Sequence, residues 1–251
     1  MRRTWLAVGV TLLSFCGVAG AAQADVLPVG QWDLNEGAGT VVHNDYPLRS
    51  GAGTLQGGVS WTGGRFQGAL AFDGTGDVDV TNSAGLAPAD VTISAWVNSN
   101  GTPGDFKYIA VKGASGCCTG SYGLYTGANG GLEFYVGTSA GTYVDSPDAG
   151  SGIWNGQWHS IVGTFDGSTV RLYVDGRQVG SGTPNNLPID YNLPTGSDFV
   201  IGNYIWCPGL GFTGDIDEVK VFDRPLSAGE IGLGYLASEW LPRSAPFDLV
   251  L

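Results

Sequence analysis

Three acidic residues close to the end of the chain could do chemistry together. Asp215, Asp217 and Glu218 lie in the strand-like segment FTGDIDEVKVF, residues 212–222. Carboxyl groups at such spacing can act as the acid pair of a glycosidase, bind calcium or form a structural ion pair. Because side chains alternate along a strand, Asp215 and Asp217 share one face and Glu218 lies on the other. Catalysis would therefore need a bulge that brings Glu218 round to the same side.

An ion pair explains the same acids without a ligand. In this interpretation Glu218 pairs with an arginine such as Arg171 or Arg224, and Asp217 accepts hydrogen bonds from local backbone amides. Only two of the three acids align on one face, and neither is a glutamate. The pattern therefore favours a structural or metal-binding role, and we predict no catalytic residues.

The two histidines outside the first 24 residues give no catalytic or zinc pattern. His159 lies beside Ser160 in the segment QWHSIV, but neighbouring strand residues point to opposite faces and cannot bond each other directly. His43 is far away in the sequence, and no His-Glu-x-x-His or Cys-x-x-Cys spacing is present. We expect His159 to be a structural residue of a strand.

The cysteines predict one disulfide and one spare thiol. Beyond the first 24 residues the chain contains Cys117, Cys118 and Cys207. Adjacent cysteines cannot easily bond each other without a distorted peptide, so Cys118, or failing that Cys117, is expected to pair with Cys207. The bridge would hold together the segments KGASGCCTGSYG and IGNYIWCPGLG.

One group of aromatic residues suggests a rim for a ligand. Trp206 lies beside Cys207 and Pro208, outside a regular strand pattern, so its side chain is the best candidate for an exposed ring. Tyr204 and Tyr122 lie in the same two segments that the disulfide would join. We therefore predict that Trp206, Tyr204 and Tyr122 contact a ligand, by stacking on a sugar.

The beginning of the chain has the pattern of an export signal. Arg2 and Arg3 precede an apolar run from Trp5 to Val18, which is followed by the small-x-small sequence Ala-Gln-Ala at residues 22–24. This apolar run is too short to span a bilayer. We expect cleavage after residue 24 and a secreted, extracellular protein.

The charge of the chain excludes some classes of partner. The full sequence has 11 Lys and Arg against 23 Asp and Glu, a formal charge of −12. Nucleic acids and anionic membranes are bound through basic patches, so we expect neither as a partner. No later segment has the roughly 18 apolar residues of a transmembrane helix, so we also expect no membrane insertion. An acidic chain is compatible with calcium.

The residue pattern predicts an all-β fold. The 43 glycines follow no three-residue period and separate many short segments rich in Val, Trp, Tyr and Phe, such as VTISAWV and TVRLYVDG. Ser227 and Glu230 have capping-box spacing, which predicts one short C-terminal helical turn. Without alternating strands and helices, the best prediction is a two-sheet antiparallel jelly-roll β-sandwich.

Five segments in a fixed order carry a resemblance to a known family. They extend from about Gly30 to Ile231 and read WDLNEGAGT, GRFQGALAFDGTGDVDV, VTISAWV, GQWHSIVGTFDGSTVRLYVDG and FTGDIDEVKVFDRPLSAGEI. This order resembles the laminin-G-like, concanavalin A-like jelly roll of secreted bacterial proteins. The resemblance implies a curved β-sandwich that binds glycans or proteins, often with a structural calcium ion, although other branches of the architecture are glycosidases.

The resemblance also implies a place for that calcium ion, a possible structural cofactor. It would lie between the N-terminal segment HNDYPLRSG and the last long strand, with Asp45 and Asp217 as ligands. We expect a signal peptide at residues 1–24, a laminin-G-like domain at 25–240 and a tail at 241–251.

The function predicted from these observations is noncatalytic recognition of a polysaccharide or a surface glycoprotein. A glycoside hydrolase or polysaccharide lyase on the same fold is one alternative. A structural adhesion domain is the other.

Overall fold

The structure is a computed structural model that describes most of the chain. The described residues are 27–45, 51–80, 84–113, 120–138, 142–191, 198–242 and 244. Three predicted features lie outside these residues: the signal peptide, the adjacent cysteines Cys117 and Cys118, and most of the C-terminal tail.

The described residues form seventeen β-strands and one α-helix. In chain order, these are β1 (Gly30–Trp32), β2 (Val41–Val42), β3 (Gly53–Gln56), β4 (Val59–Gly63), β5 (Gly68–Asp73), β6 (Asp77–Val80), β7 (Val91–Asn98), β8 (Tyr108–Lys112), β9 (Tyr122–Thr126), β10 (Leu132–Gly137), β11 (Tyr143–Asp145), β12 (His159–Phe165), β13 (Thr169–Val174), β14 (Arg177–Gln178), β15 (Thr183–Pro184), β16 (Phe199–Ile201), β17 (Thr213–Phe222) and α1 (Ala228–Trp240).

The strands form two antiparallel sheets. Sheet A has the order β14-β13-β12-β7-β17-β5-β4, with β1 beside β17 and β15 beside β13. Sheet B has the order β11-β10-β9-β8-β16-β6-β3-β2. Strands that are far apart in sequence are neighbours in both sheets, as in a jelly roll. The predicted fold class, a concanavalin A-like β-sandwich, is confirmed.

The core lies between the two sheets and follows the alternation of strand side chains. On β10, Leu132 and Phe134 point into the core, while Glu133 and Tyr135 point to the outer face of sheet B. Across the core, the rings of Trp32 and Phe199 stack with centroids 5.1 Å apart, which joins sheet A to sheet B.

Helix α1 covers part of the outer face of sheet A. Its capping box is confirmed: the Ser227 side chain accepts a hydrogen bond from the Glu230 amide, and the Glu230 side chain accepts one from the Ser227 amide. The helix has 13 residues, which is longer than the predicted single turn. Packing explains the extra length, because Ile231 is buried against sheet A and the Tyr235 ring stacks 6.1 Å from that of Trp96. The helix is not long and apolar enough to cross a membrane, and the structure describes no other α-helix.

Candidate functional site

A β-bulge reorients the acids of β17. The ladder between β17 and β7 shifts register between Asp217 and Lys220, and Glu218 has a left-handed φ of 52°. As a result Ile216 and Val219 point into the core, while Glu218 and Lys220 both lie on the outer face, beneath α1. Strict alternation, which placed Glu218 on the face opposite Asp217, is therefore wrong at this point. The bulge turns Glu218 to the same face of sheet A as Asp217, which the sequence analysis named as a condition for the two acids to act together.

Asp217 is held by backbone amides. Its Oδ2 accepts a hydrogen bond from the Phe66 amide at 3.0 Å, and its Oδ1 is buried without a hydrogen-bond partner. Burial raises the pKa of Asp217 to about 8, although the amides of Phe66, Glu218 and Arg65 act in the opposite direction. The negative charge of Asp33 raises this pKa further. Asp217 thus accepts a hydrogen bond from a backbone amide, as predicted, but the donor Phe66 is 151 residues away in the sequence and is not a local amide.

Glu218 forms a buried ion pair with a lysine. Lys220 Nζ lies 3.0 Å from Glu218 Oε2, but neither oxygen of Glu218 has a donor in good hydrogen-bond alignment. Burial raises the pKa of Glu218 well above its usual range, and the charge of Lys220 opposes that rise. The predicted arginine partner is wrong, because Arg171 and Arg224 bond other carboxylates.

The predicted calcium ligands belong to neighbouring segments. Strand β1 pairs with β17, and directly after β1 the Asp33 amide donates a hydrogen bond to Asp45 Oδ2 at 3.1 Å. The charge of Asp33 acts on both Asp217 and Glu218, so the end of β1 lies close to the acids of β17. The buried, unbonded Oδ1 of Asp217 suits a cation. Nevertheless, within the described ranges no three His, Cys, Asp or Glu side chains lie close enough to hold a metal, so carbonyl oxygens would have to complete the shell.

A second candidate site covers the outer face of sheet B. We call it the tyrosine face, and define it by the rings of Tyr108, Tyr125, Tyr135, Tyr204 and Trp206. Adjacent rings pack closely, with centroids 4.6 Å apart for Tyr108 and Tyr204 and 5.1 Å apart for Tyr125 and Tyr135. Exposed Tyr143 extends this face, with its ring 5.5 Å from that of Tyr135. The four tyrosine rings that define the face are buried, so the rings on which a sugar could stack are those of Trp206 and Tyr143.

Two carboxyl groups share one phenol beside the tyrosine face. The Tyr125 hydroxyl lies 2.9 Å from Asp145 Oδ1 and 3.1 Å from Glu133 Oε2. A phenol donates only one hydrogen bond, so both contacts are satisfied only when one carboxyl group carries a proton. Burial, followed by the charge of Asp145, raises the pKa of Glu133 to about 7, and burial raises that of Asp145. At neutral pH one carboxyl group can therefore carry the proton that satisfies the phenol, and the other lone pairs can accept hydrogen bonds from a ligand.

Sequence reasoning missed Glu133, Asp145 and Tyr125. A signal was present, because alternation in GLEFYVG places Glu133 and Tyr135 on one face of β10. The sequence did not show that β10 pairs with both β9 and β11. This pairing brings Tyr125 and Asp145 to either side of β10, next to Glu133.

The three predicted ligand contacts do not lie together at the surface. Tyr122 is completely buried in the core between the sheets, where its hydroxyl donates a hydrogen bond to the Leu86 carbonyl. Its ring cannot contact a ligand there, because alternation along β9 turns residues 122 and 125 to opposite faces of sheet B. Tyr204 belongs to the tyrosine face but is also fully buried, so it supports the surface from below. Trp206 is partly exposed, with its ring centroid 5.2 Å from that of Tyr204.

Only one cysteine of the predicted disulfide, Cys207, lies within the described residues. Cys207 is partly exposed and packs against the tyrosine face, next to Trp206. Cys117 and Cys118 lie outside the described residues, so the pairing with Cys207 stays a prediction.

His159 has the bonding of a structural residue. Its Nδ1 lies 2.8 Å from Asp175 Oδ2, and its Nε2 lies 3.2 Å from Asn155 Oδ1. The neighbouring Ser160 lines the cavity beneath α1 instead of bonding the imidazole. With both ring nitrogens next to polar partners, the arrangement lacks the nucleophile contact of a catalytic dyad.

Several solved structures share this architecture. Domain 4 of AbnA, a GH43 extracellular arabinanase from Geobacillus stearothermophilus in complex with arabinotriose, is 17% identical with a TM-score of 0.62, over 83% of this chain and 98% of that chain. Trypanosoma rangeli sialidase in complex with the inhibitor DANA is 18% identical with a TM-score of 0.63, over 94% of this chain and 36% of that chain. The binding domain of botulinum neurotoxin serotype G is 14% identical with a TM-score of 0.61, over 85% and 52% of the two chains.

The three matches cover different shares of the solved structures. The chain spans nearly all of the arabinanase domain, about half of the toxin binding domain and about a third of the sialidase. At such identities they show a common fold, which serves both enzymes and binding domains.

Among curated protein sequences, none matches this chain. The family profile Laminin_G_3, described as Concanavalin A-like lectin/glucanases superfamily, matches residues 72–232, more than half of the sequence. The chain belongs to the concanavalin A-like lectin/glucanase superfamily.

Proposed function

We propose that this protein is a secreted, noncatalytic recognition module that binds carbohydrate, either as a polysaccharide or on a glycoprotein, through the tyrosine face. The observation that carries the proposal is the combination on one surface of accessible rings, Tyr143 and Trp206, with the polar group formed by Tyr125, Glu133 and Asp145. Sugars present an apolar ring face and a polar edge, and such a surface complements both.

The two parts of the face have separate tasks. Tyr143 has 39% of its surface exposed and rests on buried Tyr135, so its ring is available at little conformational cost. Trp206 rests on Tyr204 in the same way. The remaining lone pairs of Glu133 and Asp145 can accept hydrogen bonds from sugar hydroxyls. A neutral, hydroxyl-rich glycan suits this arrangement better than an acidic glycan, because the site is surrounded by carboxyl groups.

A glycoside hydrolase is the second candidate, since Glu133 and Asp145 form a close carboxyl pair. Glycosidases hold two carboxyl groups about 5–10 Å apart on either side of the scissile bond. Here both groups bond the same phenol, so the Tyr125 hydroxyl occupies the space where a glycosidic oxygen would lie. This geometry favours recognition over hydrolysis. Asp215, half-buried opposite Asn98, forms no such pair with Glu218, which points into the cavity beneath α1.

A glycan array with neutral and acidic polysaccharides, including arabinan, tests the proposed ligand class. We expect binding to at least one neutral polysaccharide and no release of reducing ends from it on prolonged incubation. Reducing ends that appear with the natural chain and disappear with Glu133→Gln or Glu218→Gln would contradict the noncatalytic proposal. Binding confined to acidic glycans would contradict the proposed ligand class.

A structural calcium ion belongs to the same proposal. Asp45 and Asp217 would supply carboxylate ligands, and the positive charge would offset the mutual repulsion of Asp33, Asp217 and Glu218. The ion would stabilise the fold without taking part in chemistry.

We expect calcium to raise the melting temperature. An ion that binds only the folded state stabilises it by about 2.7 kcal/mol at a concentration of 100 Kd. Scanning calorimetry after exhaustive chelation, and again after calcium is added back, measures the shift. The variant Asp217→Asn should lose most of the shift, and Asp175→Asn, at an ion pair elsewhere on sheet A, should keep it. An unchanged melting temperature after chelation would exclude a strong site.

A further inference from the structure

A cavity lies between helix α1 and the outer face of sheet A. Its volume is about 70 Å³, which exceeds what a single water needs. The cavity therefore has room for several waters, or for one molecule of similar total size. It lies on the sheet opposite the tyrosine face, so any ligand that it binds is additional to the proposed glycan.

The floor of the cavity is polar and charged. Glu218 is only 2% exposed, and both of its oxygens lack a hydrogen-bond donor in good alignment, despite the ion pair with Lys220. A buried carboxylate oxygen without a donor is costly, so such groups are usually bonded to solvent or to a ligand. The hydroxyls of Ser94 and Ser160 line the same cavity and add weaker donors and acceptors.

The backbone holds Glu218 in this position at some cost. A left-handed φ is unfavourable for a residue with a side chain, and it occurs here inside a strand, at the bulge of β17. Without the bulge, alternation would turn the side chain in the opposite direction, into the sandwich core. The strained conformation therefore aims a carboxylate into the cavity, and bulges commonly reorient side chains in this way beside functional sites.

The walls of the cavity are apolar and include two aromatic rings. Trp96 from β7 and Tyr235 from α1 stack on each other with their rings 25° from parallel, and Arg65 lies over the Trp96 ring at 4.9 Å. The apolar lining that remains includes Val162 and Phe222, which can pack against the C–H groups of a polyol. Half-buried Ser94, Ser160 and Tyr235 connect the cavity with the surface.

We propose that this cavity is a binding site for a small neutral polyol, whose hydroxyls donate to Glu218 and accept from Lys220 while its carbon chain packs on Val162 and Phe222. The paired charges argue against other classes of ligand. The charged groups of the lining are already paired, Glu218 with Lys220 and Glu230 with Arg224, so neither a cation nor an anion meets an uncompensated opposite charge. A purely apolar molecule would leave the buried oxygens of Glu218 without well-aligned donors. The cavity is small and reaches the surface, so it suits a ligand of only a few carbon atoms with their hydroxyls.

A glycerol titration followed by nuclear magnetic resonance tests this proposal. We expect a saturable shift of the Trp96 indole signal, with a dissociation constant of roughly millimolar to tens of millimolar, as ligand efficiency allows for a molecule of this size. The control ligand 1-propanol has a similar carbon chain but a single hydroxyl, and should bind more weakly. Glu218→Gln should weaken glycerol binding by roughly tenfold, because it removes a charged acceptor.

Two further variants separate this site from the rest of the protein. Ser160→Leu fills the cavity without touching the ion pair, and should abolish the saturable shift even if Glu218→Gln fails to fold. Trp206→Ala alters only the tyrosine face, and should leave glycerol binding unchanged. No saturable shift up to molar glycerol, equal binding of 1-propanol, or full binding by Ser160→Leu would overturn the proposal. Each result is independent of whether the tyrosine face binds a glycan.

Discussion

Replacing Lys220 by methionine is expected to lower the free energy of unfolding by about 3–5 kcal/mol. The reason is that Lys220 is the ion-pair partner of Glu218, and the loss of one partner leaves a charge buried in an apolar environment. The cost should be smaller at pH 5 than at pH 8. Glu218 has a raised pKa, and without the lysine it accepts a proton still more readily, which removes the unpaired charge at low pH. Urea unfolding at the two pH values measures both effects.

The double variant Lys220→Met, Glu218→Gln is the matched control. It removes both charges, so it should recover most of the stability that the single variant loses. If the single variant is as stable as the natural chain at pH 8, the buried ion pair does not hold Glu218 in place.

Replacing Cys207 by serine is expected to lower the free energy of unfolding by about 2–4 kcal/mol. The predicted disulfide to Cys118, or to Cys117, closes a loop of about 90 residues, and the chain-entropy model gives about 4–5 kcal/mol for such a loop before native-state strain is subtracted. The variant should also weaken ligand binding, because Cys207 packs against the tyrosine face beside Trp206.

Peptide mapping without reduction checks the disulfide directly. A peptide that contains Cys207 should be linked to the peptide that contains residues 117 and 118. Reduction of the natural chain should lower its stability to that of Cys207→Ser. Three free thiols in the secreted protein would contradict the prediction.

The fold could be predicted because its signals are local. Short alternating segments and glycine turns indicate the longer strands, such as β7, β12 and β13, but not β3, β4 or β11. The capping box at Ser227 marks the beginning of the helix. The length of α1 could not be predicted in this way. Gly232 and Gly234 weaken the helix as an isolated segment, and it is the packing of Tyr235 on Trp96 that extends it.

The candidate sites were harder to predict because they depend on strand pairing. Trp206 is partly exposed, as its proposed role requires. Tyr122 points into the core instead, and the sequence alone does not show which face of β9 is buried. The same register brings Glu133 and Asp145 to one phenol, from positions that no sequence spacing connects. The bulge at Glu218 likewise changes a single residue and moves a carboxylate from one side of sheet A to the other.

The most direct test of the tyrosine face as the binding site compares alanine variants of two tryptophans, one partly exposed and one exposed. Trp206 lies on the tyrosine face, whereas Trp240, 85% exposed, lies at the end of α1 over the opposite sheet. Isothermal titration with the polysaccharide that binds best on the array measures affinity, and calorimetric melting confirms that both variants are folded. We predict that Trp206→Ala loses at least about tenfold in affinity and that Trp240→Ala binds like the natural chain. Full affinity in Trp206→Ala together with a loss in Trp240→Ala would contradict a binding site on the tyrosine face.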